Sequence, residues 1–76
     1  MVDKELVRKV SDAVMLAARA ILEKVDNPTA DKVFVVVETI YAALWGVFGD
    51  VPGLSPELAA ECHAAAEVIR QEVPGL

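Results

Sequence analysis

VFVVVETIYAALWGVF, residues 33–48, is the stretch whose reading decides the fold of this 76-residue chain. Thirteen of its 16 residues are apolar, and it holds all four aromatics of the protein, Phe34, Tyr41, Trp45 and Phe48. Its first half has the look of a strand, because Val33, Val35, Val36, Val37, Thr39 and Ile40 are β-branched. A strand needs a neighbour to satisfy its backbone groups, however, and no second β-rich run occurs in the chain. The run also continues without a break into YAALWGVF, giving a segment of about 20 residues, far longer than a usual strand. Helix is therefore the expectation, at a local cost of up to about 3 kcal/mol over the six β-branched positions, offset by packing.

On a helical wheel, Val33, Val37, Ile40, Leu44 and Val47, flanked by Phe34, Tyr41 and Phe48, form the expected core face. The opposite side carries Val35, Val36, Thr39, Ala42, Ala43, Trp45 and Gly46, with Asp31, Lys32 and Glu38 as its polar relief. A helix that is apolar nearly all round is buried on all sides, and two short flanking helices cover only part of it.

Upstream, Asp3 is a good N-cap, and Leu6, Val10, Ala13, Val14, Ala17, Ile21 and Val25 recur at helical steps, widened by Val7, Ala18 and Leu22. Leu16 breaks the pattern by falling on the polar line of Asp12, Arg19 and Glu23, either as a single exposed leucine or as a contact for another chain. Asp26 and Asn27 offer caps for the next helix and Pro28 fits its first position, so a short hairpin connection is expected. Downstream, Gly49 to Leu54 reads as a helix stop followed by a turn over Val51, Pro52 and Gly53, and Ser55-Pro56 as a clean helix start. Leu58, Cys62, Ala65, Ile69 and Val73 give the third helix its apolar stripe, with Ala59 and Ala66 beside them. Val-Pro-Gly-Leu occurs at 51–54 and again at 73–76, as a reused stop signal rather than a repeat.

Composition narrows the function classes. Hydrophobic residues make up 55% of the chain, above the roughly 45–50% of ordinary domains, and the excess needs somewhere to go. A net charge of −5 without a basic cluster argues against nucleic acid and anionic membranes as partners. The 33–48 run is shorter than the roughly 20 residues of a bilayer span and contains Glu38, so no membrane insertion is expected. The N-terminal sequence MVDKELVRKV lacks the pattern of a signal peptide, and the single cysteine, Cys62, fits a reducing compartment: cytoplasmic, or a recombinant expression host.

The candidate chemistry is thin. His63 shares a wheel line with Glu67 and Arg70, so it reads as a surface or rim histidine rather than a ligand for a flat cofactor. Cys62 beside it points elsewhere and reads as a small buried hydrophobe. Glu38, with Asp31 one heptad earlier, either carries a perturbed carboxylate or marks the strip of the helix that reaches water; the second reading is preferred. The small residues Thr39-xxx-Ala43 and Ala42-xxx-Gly46 allow close helix approach, and Trp45 beside them could floor a pocket. No catalytic site, cofactor or metal is expected.

Asp3, Asn27-Pro28 and Ser55-Pro56 as tidy helix starts, short loops, and alanine-rich filling such as AAECHAAAEVI together resemble a computationally designed (de novo) helical protein. Among such designs, an unusually apolar middle helix looks like that of a symmetric homo-oligomer subunit, which implies assembly as the function. The sequence expectation is thus a single all-α domain over 1–76. Its form is a three-helix antiparallel bundle, with helices at about 4–25, 28–48 and 56–72, assembling into a larger helical bundle. It is a non-enzymatic homo-oligomer subunit, a dimer by preference, self-associating through Leu16, Val35, Thr39, Ala42, Ala43, Trp45 and Gly46. The alternative is a module that receives an apolar ligand or a partner helix on the face of Ala42, Trp45 and Gly46.

Overall fold

The computed structural model describes residues 3–25, 27, 29–46 and 53–75. It is a three-helix bundle of α1 (Lys4–Leu22), α2 (Ala30–Leu44) and α3 (Pro56–Glu72), each packed on the other two. All six β-branched residues of the strand-like run are helical. Their packing outweighs their propensity: Val36 and Ile40 are fully buried, and Val33 and Val37 are half-buried against the core.

Each helix begins where its local chemistry directs. The Asp3 carboxylate accepts from the backbone N–H of Glu5 and Leu6 at 3.0 and 3.3 Å, and Ser55 Oγ accepts from Leu58 N–H at 3.3 Å ahead of Pro56 in the first turn. For α2 the cap is Thr29, whose Oγ1 accepts from Lys32 N–H at 3.2 Å. This corrects the expectation that Asn27 plays that part. Asn27 instead takes a left-handed conformation, φ 53°, in the turn between α1 and α2. Pro28 and Asp26 lie outside the described residues, and the threonine hydroxyl two positions after Asn27 is among the side chains that cap a helix start.

The end of α2 comes earlier than expected. The helix stops at Leu44 because Gly46 adopts φ 74°, the left-handed conformation that glycine reaches without steric cost. Trp45 N–H closes on Tyr41 and Ala42, and Gly46 N–H on Ala43. The expected stop at Gly49, the aromatic Phe48, Val47 and the Pro52 half of the turn lie outside the described residues. Gly53 and Gly75, at the third position of the two Val-Pro-Gly-Leu tetrads, share a left-handed φ of 85° and 95°.

Helix directions follow from the contacts. The Ser11 and Tyr41 hydroxyls share a hydrogen bond of 3.2 Å, and Val7 and Trp45 line one groove, so α1 and α2 run antiparallel. Lys24 Nζ meets Glu61 Oε1 at 2.6 Å while Gly75 lies against Leu6, so α1 and α3 are antiparallel as well. Between α2 and α3 the order is different: Cys62 reaches the Val36 carbonyl and Arg70 reaches that of Leu44, eight residues on in both helices. These two helices run parallel. Trp45 and Gly53 accordingly sit at opposite ends of the bundle, Trp45 beside Leu6 and Val7, Gly53 beside Thr29 and Asp31. The expected antiparallel arrangement thus holds for α1 against each of the others and is corrected for the α2–α3 pair. The physical reason is the early end of α2, which leaves 11 residues between Leu44 and Pro56. A chain of that length spans at most about 36–40 Å, well over the roughly 20 Å needed to return alongside a 15-residue helix.

The core comprises Val10, Val14, Ala18, Ile21 and Leu22 of α1, Val36, Ile40, Ala43 and Leu44 of α2, and Cys62, Ala66, Ile69 and Val73 at α3. On α1 and α3 these positions lie within the expected stripes. On α2 the buried face is turned by about 50° from the expected one, towards Val36, Thr39 and Ala43, which leaves Phe34 65% exposed. The cause lies in α3, whose inner face is mostly alanine and cysteine. Close packing against so small a face is best met by the small residues of α2, while the bulky ones stay outside.

Candidate interaction surface

The residues expected to meet another chain do not form one surface. Thr39 and Ala43 are 4% and 5% exposed and belong to the core of the chain itself, which corrects their placement on a spare face. The Thr39 hydroxyl is satisfied within α2, donating to the Val35 carbonyl at 2.7 Å. Val35 and Ala42 are half-buried, about 120° and 100° round the helix from Tyr41. Leu16 is 66% exposed and points nearly opposite the α1 core stripe, away from Trp45. Trp45, also 65% exposed, and Gly46 remain at the surface at the end of α2.

A different apolar face takes their place, and it lies between α1 and α2. Its α2 side is Phe34, Val37, Tyr41 and Trp45, spaced at three and four residues, with the Tyr41 and Trp45 rings 6.0 Å apart and tilted by 41°. Its α1 side carries Val7 and Met15, each about half exposed, among Lys4, Arg8 and Arg19. Near the end of the bundle the face deepens into a groove of about 140 Å³ lined by Leu6, Val7, Val10, Ser11, Tyr41 and Trp45. The Ser11–Tyr41 hydrogen bond occupies the polar ends of two of these side chains and leaves the groove wall apolar. Of the exposed large hydrophobics, Val68 alone belongs to α3, and Val7, Met15, Phe34 and Trp45 all border this face.

The titratable candidates stand apart from one another. Glu38 is exposed on the outer strip of α2, about 160° round from Val36, whose carbonyl faces α3. Asp31 is exposed as well. His63 is half-buried on α3, in keeping with a rim position. Cys62 is fully buried, and burial, with a smaller contribution from the neighbouring Glu61 charge, pushes its thiol up to about 11. The thiolate that nucleophilic attack requires is thereby disfavoured at neutral pH. Among the described residues no group of three or more His, Cys, Asp or Glu side chains is placed to hold a metal ion, and no helix is long and apolar enough to cross a membrane.

One functional contact escaped the sequence reading. Arg70, placed on a surface line with His63 and Glu67, folds back over the end of α2. Its Nε donates to the Leu44 carbonyl at 3.2 Å, and its Nη2 to the carbonyls of Leu44 and Ala43 at 2.6 and 3.0 Å. The carbonyls of a helix C-terminus lack intrahelical partners and carry partial negative charge, and a guanidinium answers both needs. Its place in the last turn of α3 is a visible signal, but its target becomes apparent only once α2 and α3 are known to be parallel. No protein family, curated protein or solved structure matches the chain.

Proposed function

We propose that the chain is a structural subunit that associates with its own copies through the α1–α2 face. The observation that carries this reading is the grouping of Phe34 and Trp45, each 65% exposed, with Val7, Met15 and Tyr41 on one side of a small bundle. Large aromatic side chains are the strongest contributors to interface energy, and scattered exposure would not align them along a single helix. The groove volume weighs against the ligand-binding alternative: about 140 Å³ accepts one or two side chains and falls short of the roughly 300–1,000 Å³ of small-molecule sites.

Size exclusion coupled to light scattering at micromolar concentration tests the proposal. Twice the 8.1 kDa chain mass, about 16 kDa, is the expected result, and a Phe34→Glu/Trp45→Glu variant should return to the single-chain mass while keeping its helical circular dichroism. A wild-type mass of 8.1 kDa at that concentration would rule the reading out.

A further inference from the structure

We draw no further inference here: the strongest candidate, the apolar face between α1 and α2 with its groove beside Tyr41 and Trp45, is the surface already described, and nothing in the structure shows what covers it.

Discussion

The thiol of Cys62 is fully buried and donates weakly to the Val36 carbonyl of α2 across 3.9 Å. Burial first, and the Glu61 carboxylate second, raise its pKa from 9.0 to about 11. A group whose folded value lies above its unfolded value holds its proton more tightly in the folded state. The stability it contributes is complete below the unfolded value and is lost as pH rises through the folded one. The window here is from 9.0 to about 11. Urea unfolding of wild type and Cys62→Ala from about pH 8 to about pH 11 isolates this contribution, since the two chains differ at this position alone. The advantage of wild type over the variant should shrink across the window; a constant difference would show that the thiol ionises equally well folded and unfolded. That Cys62 is a small core residue was legible from its place in the α3 stripe. That Thr39 is buried and Phe34 exposed was not, because hydrophobicity ranks phenylalanine inward, and only the alanine-rich surface of α3 reverses the order.

Between helices, the sequence carried existence and type and lost direction. The boundaries of α3 match at both ends, since Ser55-Pro56 and the Val73 to Gly75 stop are strong local signals. The far end of α2 was misplaced because hydrophobicity continues through Val47 and Phe48, whereas the backbone answers to Gly46. From that shift came the parallel α2–α3 pair, which no local pattern announces. Parallel neighbours gather two helix C-termini, with their partial negative charge, at one end of the bundle. Arg70 offsets this by donating to the Leu44 and Ala43 carbonyls of the terminal turn. Its side chain is 39% exposed, which places the contribution of the cap at about 1–2 kcal/mol, the lower part of the range for hydrogen bonds to charged groups. Arg70→Gln should lower the stability by that amount in urea titration. Arg70→Lys should recover only part of it, because an ammonium keeps the charge and loses the fork that spans two carbonyls. Equal stability of wild type and Arg70→Gln would mean that water satisfies the Leu44 carbonyl equally well.

For the molecule as a whole, size and surface bear on each other. A domain of this length buries only about 60% of its unfolded surface, and three of its core side chains are alanines. The apolar area that the close α2–α3 packing gives up inside is displayed outside, on Phe34, Tyr41 and Trp45. Under the self-association reading, covering that face adds to the stability of the isolated chain, so folding and association are linked. Unfolding then yields two chains from one dimer, and the midpoint depends on total concentration through mass action. A tenfold rise in concentration is worth about 1.4 kcal/mol per dimer, and for a folded unit of about 150 residues this moves Tm by about 3–6 °C. Differential scanning calorimetry over two decades of concentration should show that drift in the wild type. In the Phe34→Glu/Trp45→Glu variant Tm should be lower and independent of concentration. A wild-type Tm that holds still across the same range would mean that the three helices stand alone and that the aromatic face contributes nothing to the fold.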